Sequence, residues 1–272
     1  MTAEIVERVR RSSRYRDVDG SLLERLAEEE LPRARNADDA VKRVKRRLHQ
    51  AVGAFRGSTA ADPLARVRAA WTGDLAASAF RDACAEVLAG HASTRERVPH
   101  LGTFYRDLWK QTGDPRRVLD LGCGFGPLAL PWMAIGDAEL VATDVDRRSL
   151  DVVEAFLTLI GQPHRTGPLD MVTQQPADEA DEADVALLLK LVTTLDRQDP
   201  AAAARLLGGL RTRYAVVSFT SRSLGGRGKN MERTYRERFE RLVAEVMRVR
   251  DVAEASVPGE LVFVVELDPV DG

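Results

Sequence analysis

A glycine-rich turn and three acids are the residues of this chain whose types and spacing can do chemistry. Asp120-Leu121-Gly122-Cys123-Gly124-Phe125-Gly126-Pro127 closes a short apolar run and opens a helix. Glycines in such a turn let the chain reverse sharply and let backbone approach a ligand closely. Pro127 suits the first helical position, where its missing N–H costs nothing. A dinucleotide fingerprint needs a third glycine three residues after Gly124, and Pro127 stands there instead. Asp144 ends the next apolar run, where a carboxylate can accept hydrogen bonds from ribose hydroxyls. Asp170 follows Pro168-Leu169 further on. Singly, each Asp reads as a helix cap or a solvated loop residue; three at successive strand ends point to a bound nucleoside.

The elements that must hold these residues are short buried strands alternating with helices. Runs at 117–121, 140–144, 184–190 and 214–219 read as strands, and 147–160 and 200–210 as helices between them. That alternation argues for a parallel sheet covered on both faces. Leu261-Val262-Phe263-Val264-Val265-Glu266-Leu267 adds a further strand, expected to be antiparallel. Ahead of the sheet, residues 1–112 read as helices, near 21–31, 60–71, 74–90 and 93–110 among others. Val41, Val44, Leu48 and Val52 recur every three or four residues and define one helical face. Gln111-Thr112-Gly113-Asp114-Pro115 breaks the pattern. The expected fold is therefore α/β, a helical N-terminal domain over 1–112 followed by a Rossmann-like sheet over 113–272.

Composition excludes several classes. With 272 residues, 44% of them hydrophobic and 30% charged, the chain can bury a globular core. No apolar run reaches the ~18–20 residues of a membrane span, and the N-terminus lacks a signal peptide's apolar centre. Cys84 and Cys123 lie far apart, and four scattered histidines give no metal-binding spacing. These features predict a cytoplasmic, reduced, metal-free protein, and nothing demands an obligate oligomer, so a monomer is expected. The net charge of −2 conceals an asymmetry. Residues 1–117 carry 23 Lys and Arg against 17 Asp and Glu, whereas residues 118–220 carry 8 against 15. Lys42, Arg43, Lys45, Arg46 and Arg47 flank the stripe on the early helix, and Arg222, Arg227 and Lys229 follow the 214–219 strand. A charge run of this kind is ordinarily a solvated face, but guanidinium forks also suit phosphate.

The acid with Gly-x-Gly-x-Gly behind it resembles the S-adenosylmethionine (SAM) motif of class I methyltransferases. Two further segments sharpen the likeness: His91-Ala92-Ser93-Thr94-Arg95-Glu96-Arg97 followed by Thr103-Phe104-Tyr105, and Ser223-Leu224-Gly225-Gly226-Arg227-Gly228-Lys229-Asn230-Met231. Both look like signatures of the Arm/Rmt family of aminoglycoside-resistance 16S rRNA (guanine(1405)-N(7))-methyltransferases, and the resemblance runs along nearly the whole chain. It implies that Arg97 holds the SAM carboxylate, that Asp120, Gly122 and Gly124 form the loop beneath the methionine part, and that Asp144 meets the ribose. Asp170 would lie near the adenine and Lys190 at the mouth of the site. The implied partner is 16S rRNA within the 30S subunit, contacted by the basic residues at both ends of the chain.

The chain departs from that family's usual pattern in two places. Gly126 stands where Asn is usual, which removes an amide donor and acceptor. Lys190 precedes Leu191-Val192-Thr193-Thr194 rather than a nearby Leu-Pro. Both border the expected reaction centre, so the same fold serving another RNA site or a small molecule, or a SAM-binding ribosome-associated protein impaired in transfer, are the rival readings. Guanine N7 carries a free lone pair, so positioning suffices and no general base is assigned. A paired guanine must leave the stack to be methylated, and Phe104, Tyr105, Trp109, Phe125 and Trp132 are candidates to hold it, although each would more commonly belong to a core.

Overall fold

The structure is a computed structural model that describes residues 1–53, 62–176, 183–220 and 228–270. Its N-terminal helices α1 (Thr2–Arg10), α2 (Gly20–Glu30) and α3 (Ala37–Leu48) pack around a core of their own built from Ile5, Val9, Leu22, Leu23, Leu26, Val44 and Leu48. Local chemistry sets their starts. The Asp19 carboxylate accepts the Ser21 N–H at 3.0 Å ahead of α2, and Asn36 accepts the Asp39 N–H at 2.9 Å ahead of α3. Val41, Val44 and Leu48 form the buried stripe that their spacing predicts.

The helices that follow side with the sheet instead. α4 (Ala65–Ala70), α5 (Ser78–Gly90) and α6 (Leu101–Thr112) contribute Val67, Phe80, Cys84, Phe104 and Leu108 to one large core. Val118, Leu140, Phe156, Val216 and Val262 complete it. The helices expected as one N-terminal domain over 1–112 are thus shared between two cores.

The remaining elements alternate: β1 (Arg117–Leu121), α7 (Leu130–Met133), β2 (Glu139–Asp144), α8 (Arg147–Ile160), β3 (His164–Pro168), β4 (Ala183–Leu189), α9 (Val192–Asp196), α10 (Ala202–Gly209), β5 (Thr212–Thr220), α11 (Gly228–Ala244), β6 (Val249–Val257) and β7 (Glu260–Leu267). They form a seven-stranded sheet in the order β3-β2-β1-β4-β5-β7-β6. β1 to β5 are mutually parallel, and β7 runs antiparallel to both β5 and β6. Alternation along the strands sends Leu119, Leu121, Leu188 and Val217 to the second face, where they pack with Leu195, Leu206 and Phe239 of α9, α10 and α11. β3 and β6 are the strands that the apolar runs do not reveal. Both lie at sheet edges, half exposed, and so neither needs a continuous apolar sequence.

The strand order reverses at β1, because β2 and β3 lie to one side of it and β4 and β5 to the other. Loops leaving β1 and β4 part there, and in open α/β sheets the crevice beyond the carboxyl ends at such a point takes the ligand.

Candidate active site

The turn after β1 fills that crevice. Gly122 and Gly124 adopt φ of +65° and +50°, in the left-handed region that side chains disfavour. Space is as restrictive as backbone angle: a Cβ at Gly122 would stand 2.9 Å from Leu191 Cδ1, and one at Gly124 would stand 3.2 Å from His91 Cε1. The turn is tied to the neighbouring strand, since Cys123 N–H donates to the Thr143 carbonyl at 2.9 Å and Gly124 N–H to Asp144 Oδ2 at 2.9 Å. Asp144 accepts the Asp146 N–H through its other oxygen, also at 2.9 Å. Burial, reinforced by the Asp146 charge, lifts the Asp144 pKa above the ordinary carboxylate value, against these backbone bonds.

Gly122, Gly124, Asp144, Asp170 and Lys190 line one pocket, together with His91, Asp146, Leu169, Met171 and Leu191. Burial drives the His91 pKa down to about 4, so its ring is neutral at pH 7. Its Nδ1 lies 2.7 Å from Ser93 Oγ, and its ring packs against Phe125 with centroids 5.1 Å apart. Lys190, unusually for a lysine, has φ of +60°. Its backbone N–H donates to the Ser218 carbonyl at 3.1 Å, and its Nζ reaches Glu96 Oε2 at 2.9 Å and Glu260 Oε1 at 3.4 Å.

Two further residues singled out from sequence stand outside the pocket lining. The Arg97 side chain is buried, its Nη2 donating to Glu260 Oε2 at 2.6 Å while its guanidinium lies 4.5 Å from the centre of the Phe104 ring. Its Nε has no partner. Asp120 is equally buried, and desolvation pushes its carboxyl up to about 7 despite the attraction of Arg97. Its Oδ2 also lacks a partner and lies 2.8 Å from where a Gly126 Cβ would be. Glycine at 126 therefore makes room for this carboxyl, which the Cβ of an asparagine there would crowd.

The raised Asp120 pKa has a testable sign. The fold prefers the neutral acid, so the stabilising contribution of this group stands in full below its unfolded value of 3.8 and is lost as pH rises through about 7. Asp120→Asn carries no such titration. Relative to the parent chain, its melting temperature should therefore rise between pH 5 and pH 8, as measured by thermal scans at both values.

The chemistry of the pocket fits a purine nucleoside bearing a charged tail. Two glycines at positive φ line it, acids sit at or just beyond the ends of β2 and β3, and Leu169, Met171, Leu191 and Leu195 supply apolar walls. Glu96, Glu260 and Arg25 are the residues that sequence reading missed. Glu96 stands inside the His91–Arg97 segment, adjacent to Arg97, and was the one within reach.

The basic residues divide. On α3, Lys42 and Arg46 are exposed and Lys45 half-buried, but Arg43 and Arg47 turn inward onto Glu30 at 2.7 and 3.0 Å. Arg222 and Arg227 lie outside the described residues, as does the Lys229 side chain. Of the aromatic candidates, Phe104, Tyr105, Trp109 and Phe125 belong to the core, and Trp132 packs at its edge away from the pocket. Among the described residues no cluster of His, Cys, Asp or Glu could hold a metal, and no helix is long and apolar enough to cross a membrane.

A 3-2-1-4-5-7-6 sheet with a glycine turn bonded to the acid at the end of β2 defines a class I SAM-dependent methyltransferase. Within that class the chain belongs to the ribosomal RNA methyltransferase (FmrO) family, whose profile matches residues 11–264. A 16S rRNA (guanine(1405)-N(7))-methyltransferase of Micromonospora rosea is 37% identical over 268 residues, covering 96% of this chain and 95% of the relative. One of the same description from Micromonospora echinospora is 35% identical, with 97% and 96% covered. Among solved structures, the 16S rRNA methyltransferase RmtF in complex with S-adenosyl-L-homocysteine superposes with a TM-score of 0.81 at 34% identity, covering 98% of each chain.

Proposed function

We propose that this chain transfers the methyl group of SAM to N7 of guanine 1405 in 16S rRNA, within the 30S subunit, and so confers aminoglycoside resistance. The observation that carries this reading is a left-handed glycine turn hydrogen-bonded to Asp144, in a chain that matches a ribosomal RNA methyltransferase family over residues 11–264. Asp144 would hold the ribose hydroxyls and Asp170 the adenine end. Gly122 and Gly124 would lie under the methionine part, with Asp120 behind them in the turn. Arg97 would meet the carboxylate through its unpartnered Nε. SAM would supply a methyl group already activated on a sulfonium. The neutral N7 lone pair requires no proton to be removed, so the task of the protein is to align two atoms at ~3–3.5 Å. Lys190, held by Glu96 and Glu260, closes the wall of the site.

The helices of residues 1–112 are the proposed RNA-docking region, with α4 to α6 packed on the sheet core and α1 to α3 around a core of their own. Lys42, Lys45 and Arg46 would contact phosphates, with Arg222, Arg227 and Lys229 contributing from the segment after β5. We read the chain as a cytoplasmic monomer. Incubation of the purified protein with 30S subunits and labelled SAM, followed by mapping of the modified nucleotide, tests the whole. Label at guanine 1405 of 16S rRNA is expected; label elsewhere, or SAM binding without transfer, overturns it.

Charge reversal tests the docking surface separately. Lys42→Glu with Arg46→Glu should weaken 30S binding about tenfold and reduce the dependence of log K on log salt by about one to two, since two phosphate contacts release fewer counterions. Filter binding across a salt series measures both, and an unchanged slope removes α3 from the interface.

A further inference from the structure

The walls of the cofactor pocket do not all come from the sheet domain. Leu22 of α2 and Ala51, just past α3, also line it. Arg25, three residues beyond Leu22, enters the same region. Its Nε donates to Asp170 Oδ2 at 2.6 Å and its Nη2 to Asp170 Oδ1 at 3.2 Å, a fork-to-carboxylate pair joining residues far apart in sequence. Nη2 also reaches Gln198 Oε1 at 2.9 Å, and Nη1 reaches Glu29 Oε1 at 3.0 Å. The other oxygen of Glu29 pairs with Arg47 of α3 at 3.0 Å, and Arg47 itself reaches the Gln198 carbonyl at 3.4 Å. Charge-assisted bonds therefore run without a gap from the basic helix α3, through Glu29 and Arg25, to the acid on the pocket wall. The Arg25 and Asp170 side chains are 10% and 3% exposed, so solvent screens this pair little.

A second connection holds the loop after β2. Val18 forms an isolated bridge with Asp146, Asp19 N–H donates to the Val145 carbonyl at 2.8 Å, and Arg147 pairs with Asp19 at 2.6 Å. Both acidic rims of the pocket are thus fastened to the unit that carries the basic helix.

We propose that Arg25 is a positioning residue that orients Asp170 and couples cofactor occupancy to RNA docking by α3. This rests on the assignment of Asp170 to the adenine end and of α3 to the RNA. Coupling of two binding equilibria is reciprocal, so any factor by which cofactor tightens RNA binding is returned by RNA to the cofactor.

The test uses the full chain, S-adenosylhomocysteine in calorimetry, and 30S binding measured with and without saturating S-adenosylhomocysteine. The parent chain should bind 30S at least about fivefold more tightly when the cofactor product is present, the lower end of ordinary coupling. Arg25→Met should lower S-adenosylhomocysteine affinity about tenfold, as loss of a charged hydrogen-bonded pair does, and bring the 30S ratio to about one. In turnover, KM for SAM should rise while kcat at saturating SAM falls less than about twofold, a split that general loosening of the fold would not give. Arg25→Lys, which keeps the charge without the fork, should recover part of the affinity, and the Arg25→Met, Asp170→Asn double variant should bind no more weakly than Asp170→Asn alone. Parent-like affinity in Arg25→Met beside a weakened Asp170→Asn overturns the role of Arg25 only. Undiminished affinity in Asp170→Asn overturns the assignment beneath it. Additive losses in the double variant, or a 30S ratio of one in the parent chain, overturn the coupling.

Discussion

Replacing Arg97 by methionine should lower folding stability by about 3–5 kcal/mol, the cost of stripping one partner from a buried ion pair. The side chains of Arg97 and Glu260 are 3% and 0% exposed, with 2.6 Å between charged atoms. Methionine keeps much of the volume over the Phe104 ring but leaves the Glu260 carboxylate with Lys190, 3.4 Å away, as its remaining cation. That residual pairing places the loss toward the lower end of the range. Combining Arg97→Met with Glu260→Gln removes the stranded charge and should restore part of the stability, whereas additivity of simple packing losses predicts a further fall. Denaturant titrations with unchanged m-values decide between the two outcomes. The same substitution removes the proposed carboxylate contact, so S-adenosylhomocysteine binding should weaken in the double variant even where stability returns.

Asp144→Ala should reduce S-adenosylhomocysteine affinity by at least about 100-fold, the low end for two hydrogen bonds to a charged acceptor at about 1.5–3 kcal/mol each. The carboxylate does two jobs: it fixes the glycine turn through Gly124 N–H, and it faces the pocket where ribose hydroxyls would bind. Asp144→Asn keeps an acceptor for the Gly124 N–H while losing the charge, and should fall between the two in calorimetry. Equal affinities for Asp144→Ala and the parent chain would remove the nucleoside from this pocket.

Much of this architecture is written locally in the chain. The Val118–Leu121 and Leu140–Asp144 runs announce buried parallel strands, and the glycines after Asp120 announce a turn whose positive φ values the structure contains. Asp144 and Asp170 could be placed because an acid at the end of a strand is a position, not a contact. The contacts were out of reach. Glu260 meets Arg97, and Arg25 meets Asp170, across most of the length of the chain, through folding rather than spacing. No periodicity in the first hundred residues separates helices with their own core from those that cover the sheet, since both show the same apolar stripe. Likewise the spacing of Arg43 and Arg47 is that of a solvent-facing cation, yet Glu30 draws both inward. The aromatics show how weak an isolated side chain is as a signal: Phe104 and Tyr105 became core, with Phe104 serving as the platform for Arg97.

The outermost strands of the sheet bear on how the protein behaves when concentrated. An edge strand presents unpaired backbone donors and acceptors to any neighbouring molecule, which makes it a template for polymerisation. β6 carries an irregularity in register between Val249 and Asp251, and exposes Arg250, Asp251 and Glu254, the last paired with Arg236 of α11. At the opposite border, β3 ends in Gly167-Pro168, which shortens the stretch a second chain could pair with. Both borders are thus blunted against strand-to-strand growth, so that a seven-stranded sheet rich in valine and leucine can remain dispersed at the concentrations that ribosome-scale assays demand.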